Sequence, residues 1–281
     1  MAVSKYVAGV GMIIVAVIAF AIGLYASPMI MPQSTVKAED KSWDNVVAAG
    51  KIRAGTEPGW PPYEFLNTTT SQIVGFEIEL TEAIAGKLNV TVEWHNVGFD
   101  TIIPAIQSGE LDLGVSGFSV TSDRLEVVQF TMPHSITEGQ IIMLNSTKTA
   151  KGIDMLTSIS QLSTLNLKVG TQTGTTEEGE LLDTIPHGLV TSYTTYLDAL
   201  TAMKTGLIDC VYAETPITSD WILEAEQQGQ QPIVIVFRRP YYPVAFVVNK
   251  DANKLVAKIN GALADIIASG QLDTLKQKWK C

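Results

Sequence analysis

Two rhythms of apolar positions alternate along the chain beyond Trp43. Residues 51–56 carry a short strand pattern, and residues 76–88 place Phe76, Leu80, Ile84 and Leu88 four apart, which predicts a helix with one buried stripe. Val90, Val92 and Trp94 then alternate with Thr91, Glu93 and His95 as a strand, followed by a helix over 101–108 and a strand over 111–115. Short strands taking turns with amphipathic helices predict an α/β class built on parallel sheets.

The same rhythm occurs twice. Lys51-Ile-Arg-Ala-Gly-Thr-Glu-Pro-Gly59 parallels Asn166-Leu-Lys-Val-Gly-Thr-Gln-Thr-Gly174, and Ile103-Pro-Ala-Ile-Gln-Ser-Gly-Glu-Leu-Asp112 parallels Leu200-Thr-Ala-Met-Lys-Thr-Gly-Leu-Ile-Asp209. Two matches in the same order predict a duplicated lobe. Gly109 and Gly206 fall where a helix ends and a positive φ is wanted. Open parallel sheets bind ligands beyond the carboxyl ends of their strands, so facing lobes would pair Glu57 with Gln172, and Ser116-Gly117 with Ala213-Glu214, across a cleft.

The front of the chain has neither rhythm. Lys5 precedes an apolar run over 6–26, long enough as a helix to cross a bilayer, and the preceding cation favours export of the chain beyond the run. Residues 1–28 read as a signal peptide or transmembrane anchor, the retained anchor being favoured because the run is longer than a cleaved core needs. Residues 29–42 read as a linker. Much of the 46% hydrophobic content sits in that run, and the whole chain carries a net charge of −10, which argues against nucleic acid as a partner. Two cysteines and three histidines supply no zinc framework, and a Cys210–Cys281 disulfide would have to meet strict geometry from a strand and a chain end. The sequons at Asn67, Asn89 and Asn145 are compatible with an external location.

Several residues carry candidate chemistry. Ser116, Gly117 and Ser119 follow a strand and lead into a short helix over 122–127, whose first turn holds Arg124. A cation there opposes the helix dipole, and a carboxylate bound by the guanidinium fork and nearby donors would repair the mismatch. Glu214 ends the equivalent strand of the second half and suits an ammonium group. Thr175 and Glu178 form a capping box, so Thr176 opens a helix and offers its amide to an anion. Trp60, in a proline-flanked loop, and Phe99, before a helix, suit a side-chain sandwich. No nucleophile and base stand together, with histidines at 95, 134 and 187 only.

The motifs resemble those of the amino-acid-binding family (family 3) of extracytoplasmic solute-binding proteins of ABC transporters. Gly55-Thr-Glu-Pro-Gly-Trp-Pro-Pro-Tyr-Glu-Phe65 with Gly75-Phe-Glu-Ile-Glu-Leu80 is similar to the family's opening motif. The stretch from Phe99 to Asp112, then Ser119-Val-Thr-Ser-Asp-Arg124 and Phe130-Thr131, is similar to its central signature. The resemblance implies a two-lobed, periplasmic-binding-protein-like (Venus flytrap) α/β fold with two crossover strands, near 140–144 and 245–249. One lobe would comprise 43–138 plus 246–281, the other 139–245. By the same resemblance Arg124, Gly117, Ser119 and Thr176 would hold a ligand α-carboxylate, Glu214 the α-amino group, and Trp60 and Phe99 the side chain. Glu57, Gln172 and Tyr63 would choose that side chain, and Ser116 belongs to the same donor-rich corner.

Two departures stand out: Glu214 replaces the family's usual aspartate, and Gly117 replaces a hydroxyl, leaving only a backbone donor. The expectation is a monomeric, exported binding protein without cofactor or metal. It would capture a polar or basic amino acid by hinge closure and deliver it to a permease, with the membrane reached through residues 6–26. The alternatives are a cyclohexadienyl-type dehydratase on the same fold and an anchored sensor ectodomain.

Overall fold

The four-residue spacing of Phe76, Leu80 and Ile84 does form a helix, and all three side chains are fully buried, each contributing roughly 1.5–3 kcal/mol by removal from water. The computed structural model describes residues 39–281; the expected helix over 6–26 and most of the expected linker lie outside them. In chain order, α1 (Ser42–Ala49), β1 (Lys51–Thr56), β2 (Gly59–Trp60), β3 (Glu64–Leu66), β4 (Ile73–Val74), α2 (Phe76–Lys87), β5 (Thr91–Asn96), α3 (Phe99–Ser108), β6 (Leu113–Gly114), α4 (Ser122–Val127) and β7 (Val128–Phe130) come first. Next come β8 (Ser135–Leu144), α5 (Asn145–Lys151), α6 (Gln161–Thr164), β9 (Val169–Gln172), α7 (Thr176–Thr184), β10 (Val190–Tyr193), α8 (Tyr196–Lys204), β11 (Cys210–Glu214), α9 (Thr215–Gln227) and β12 (Ile233–Val244). The chain then returns through β13 (Val247–Asn249), α10 (Asn253–Ala268) and α11 (Gln271–Trp279).

Two five-stranded sheets result, ordered β5-β1-β6-β13-β7 and β10-β9-β11-β8-β12. In each, four strands run one way and the fourth in order, β13 or β8, runs antiparallel between its neighbours, so the sequence repeat is a repeat of topology. It reaches individual hydrogen bonds. Asp112 accepts from the backbone N–H of Arg53 at 2.9 Å, and its counterpart Asp209 accepts from that of Lys168 at 2.8 Å. The same two pairs are closed by backbone bonds, Asp112 N donating to Arg53 O at 2.9 Å and Asp209 N to Lys168 O at 2.8 Å, and β6 is shorter than the predicted 111–115. Arg53 also grips Asp112 through its guanidinium, at 3.0 and 2.7 Å. Gly109 and Gly206, with φ of 78° and 76°, turn the chain out of the preceding helices.

β8 and β12 form a long antiparallel ladder whose last pair is Ser135 with Val244. The chain passes between the sheets just beyond it, at residues 131–134 and 245–246; the expected stretch 140–144 lies deeper, inside the second sheet. The two passing segments are bonded to one another, Thr131 N to Phe246 O and His134 N to Val244 O, both at 3.0 Å, and His134 stacks on Phe246 at 4.4 Å. A three-stranded sheet, β2-β3-β4, carries Trp60 and Glu64. α10 packs on α1 and α2, and Asp40, within the expected linker, accepts from Lys254 N at 2.6 Å, so that stretch is joined to the fold at its end. Cys210 and Cys281 are free thiols, one buried in β11 and the other exposed. Among the described residues no helix is long and apolar enough to cross a membrane.

Candidate functional site

Of the eleven residues singled out from the sequence for ligand contact, all but Tyr63 line one cleft between the two sheets. From the first sheet's side come Glu57 after β1, Trp60 on β2, Phe99 opening α3, Ser116, Gly117 and Ser119 after β6, and Arg124 in α4. Across from them stand Gln172 at the end of β9, Thr176 at the start of α7 and Glu214 at the end of β11. The carboxyl ends of parallel strands thus face each other, as the duplication predicts.

Three hydrogen bonds cross the cavity and hold it shut. Ser119 Oγ donates to Glu214 Oε1 at 2.6 Å, Gln172 Nε2 donates to Glu57 Oε2, and Arg124 Nη2 donates to Gly174 O at 3.2 Å. Arg124 also donates through Nη1 to Ser119 O at 2.9 Å and lies 5.6 and 5.3 Å from the ring centres of Phe99 and Phe118. Burial pulls its pKa down, with Glu214 and Glu177 supporting the charge; an arginine stays protonated under such a shift. Thr121 Oγ1 accepts from Arg124 N at 3.3 Å and so caps the third amide of the short helix α4.

The carboxylates differ by environment. Glu214 is pushed up to about 8, first by burial and then by the charge of Glu177, while Ser119 and Arg239 act in the opposite sense. Glu57 is raised by burial, against the pull of Gln172. Glu64, on β3, is fully buried and raised well above its ordinary value by burial and by Glu77.

Two expected donors face inward. Ser116 Oγ donates to Glu64 Oε1 at 3.2 Å while accepting from Glu57 N, and Gly117 N donates to Glu77 Oε2 at 3.0 Å. The missing Cβ at Gly117 matters sterically: a Cβ there would lie 2.0 Å from Cζ3 of Trp60, and φ is 58°. Glycine is required because the Trp60 ring occupies that space. Gly117→Ala is expected to lower stability by about 2–4 kcal/mol, strain and overpacking together, in a denaturant titration. A loss under about 1 kcal/mol would show that the ring swings aside freely.

Tyr63 does not line the cavity; it is buried, with its hydroxyl 2.5 Å from Ser135 Oγ at the start of β8. Glu64, Thr175, Glu177 and Tyr196 line it without having been singled out for ligand contact. Tyr196 was within reach of the repeat: extended four residues back from Ile103 and Leu200, it pairs Phe99 with Tyr196, each the first residue of its helix. Thr175 caps α7, its Oγ accepting from Glu178 N at 3.2 Å, and Glu178 closes the box on Gly174 N at 2.7 Å. Glu177 carries no signal of its own, since an acid in a first helical turn reads as dipole compensation.

Against known proteins, residues 52–280 match the family model described as bacterial extracellular solute-binding proteins, family 3. ABC transporter arginine-binding protein 1 of Escherichia coli (strain K12) is 28% identical over 235 residues, 83% of this chain and 91% of that protein. An ancestral arginine-binding protein bound to arginine is 31% identical with a TM-score of 0.72, covering 82% of this chain and 98% of that one. The amino acid ABC transporter substrate-binding protein AbpA of Streptococcus pneumoniae, bound to L-arginine, is 26% identical with a TM-score of 0.73, covering 84% and 96%. With that family model spanning most of the chain, this protein belongs to the bacterial extracellular solute-binding proteins, family 3.

Proposed function

We propose that the chain captures an amino acid with a cationic side chain, arginine before others, outside the cytoplasm. The two lobes close on it as a monomer and present it to the permease of an ABC transporter, with residues 6–26 serving as export signal or membrane tether. The observation that carries the choice of ligand is the charge of the cavity wall: one guanidinium, Arg124, against the carboxyls of Glu57, Glu64, Glu177 and Glu214. Buried charges must be matched. An amino acid with a carboxylate, an ammonium and a second cation supplies the missing positive charge, which a neutral amino acid does not. In this reading Arg124 and Thr176 take the α-carboxylate, Glu214 with Ser119 the α-ammonium, and Trp60, Phe99 and Tyr196 the aliphatic stem. Glu57, set by Gln172, takes the distal cation. Binding-protein names and arginine-bound structures among the relatives support this over the dehydratase reading.

The test is calorimetry and thermal shift with L-arginine, L-histidine, L-glutamine and prephenate. A ligand at a hundred times its Kd adds about 2.7 kcal/mol of stability, and L-arginine should give the largest shift. No response to any amino acid, or turnover of prephenate, would overturn the proposal. Glu57→Gln is expected to cut arginine affinity about tenfold or more while changing glutamine affinity less than threefold, since only the cationic side chain needs the charge. Equal losses for both ligands would remove Glu57 from side-chain choice.

A further inference from the structure

β12 carries two consecutive arginines, which a strand must send to opposite faces. Arg238 is exposed and pairs with Glu138. Arg239 turns inward and is 7% exposed. Its Nη2 lies 3.0 Å from Glu177 Oε1 and 3.5 Å from Glu214 Oε1, and its Nη1 donates to Glu180 Oε1 at 2.7 Å. The guanidinium sits 4.3 Å from the ring centre of Tyr242 and 5.9 Å from that of Tyr212, whose hydroxyl donates to Glu180 Oε2 at 2.6 Å. Arg239 does not reach the cavity surface; Glu177 and Glu214 do. It therefore stands behind two carboxyls of the wall. Nε and Nη2 make no well-directed hydrogen bond, so the link to Glu177 and Glu214 is one of charge and proximity.

Two buried carboxyls this close, without a cation, would share a proton. Arg124 is the other cation nearby, but it comes from the opposite lobe and faces the expected ligand carboxylate. Arg239 shares the second sheet with Glu214, and Glu177 lies on α7 beside that sheet, so it stays with both acids whether the cleft is open or closed. Tyr196 completes the surroundings, its hydroxyl donating to Glu177 Oε2 at 3.3 Å.

We propose that Arg239 is a positioning residue: from behind the wall it loosens the hold of Glu177 and Glu214 on a proton and keeps both carboxyls aimed into the cavity. A ligand ammonium then displaces that proton more easily than it would from an acid pair with no cation behind it. The proposal rests on the reading of the cavity as an amino-acid site. It agrees with the opposing influences on Glu214, which Glu177 raises and Arg239 lowers.

The test tracks the Glu214 carboxyl by carbon NMR in ligand-free protein, its signal identified by loss in Glu214→Gln. Arg239→Gln should raise the Glu214 midpoint by a unit or more, and Arg239→Lys should raise it by less than half of that. The same comparison in a Glu177→Gln background, where the buried charge is closer to balance, serves if Arg239→Gln alone does not fold: removing Arg239 should again raise the midpoint, by at least half a unit. An unchanged midpoint in either folded pair overturns the proposal, because a packing role would not move a titration. In calorimetry at pH 7, Arg239→Gln should weaken L-arginine at least tenfold more than 5-guanidinopentanoate, which lacks the ammonium; equal losses overturn it. If the parent binds neither compound, the amino-acid reading fails, while the titration still reports on Arg239.

Discussion

Replacing Arg124 by alanine is expected to weaken L-arginine binding by about 100- to 1,000-fold, the range for truncating one partner of a desolvated charge pair. The guanidinium is fixed before any ligand arrives: Phe99 and Phe118 pack against it, Ser119 O takes one N–H and Gly174 O another. Alanine removes the fork and leaves a ligand carboxylate facing a wall whose remaining charged groups are acids. Lysine keeps the charge but not the planar fork and should recover only part of the loss. Calorimetry on the three proteins decides this, and an alanine variant within threefold of the parent would remove Arg124 from carboxylate binding. The Arg124 bond to Gly174 also crosses the cleft, so the alanine variant should close less readily without ligand, visible as a larger radius of gyration in X-ray scattering.

The second large effect is on pH. Glu214 titrates near 8 in the folded chain against an ordinary 4.5, so folded protein holds that proton more tightly than unfolded protein does. Stability of the ligand-free chain should therefore fall as pH rises from about 4.5 to about 8 and level off above. Ligand affinity has the opposite sign, because an ammonium needs the carboxylate and binding below pH 8 must expel the proton. L-arginine affinity is expected to rise by about 10- to 100-fold between pH 6 and 8, one proton leaving per ligand bound. Glu214→Gln should bind weakly, lose most of that slope and gain stability on the order of 2–4 kcal/mol above pH 8. A parent with flat affinity over this range, or a glutamine variant with the parent's slope, would sink the assignment.

The residues legible in the sequence were those whose position in the repeat declared them. Glu57 and Gln172, or Gly117 and Glu214, stand at or just beyond the ends of strands whose first residues already match, and the chain is bound to bring such ends together. Asp112 and Asp209 shared a place in the alignment, but their common bond to a strand-entry N–H could not be read, because nothing in the pattern separates a solvated acid from one turned back onto the backbone. Direction was the harder part throughout. Ser116 and Gly117 stand where expected, yet their donors point into the lobe toward Glu64 and Glu77, carboxyls whose burial emerges only once β3 and α2 are packed. Arg239 was hidden for a related reason. Of two adjacent strand arginines one must turn inward, and which one depends on the register shifts that break the β8–β12 ladder between residues 235 and 237 and between 238 and 241.

The bonded passage between the sheets carries a mechanical consequence. Two segments tied by Thr131 to Phe246 and by His134 to Val244 form a ribbon rather than two independent tethers. A ribbon bends easily across its face and resists sliding and twisting, so opening along it is close to a single degree of freedom. Each reclosure then returns Ser119 to Glu214 and Gln172 to Glu57 without a search over orientations. Capture would be paced by the arrival of ligand rather than by alignment of the two halves, and a substitution that loosened the ribbon would slow capture while leaving every cavity residue in place.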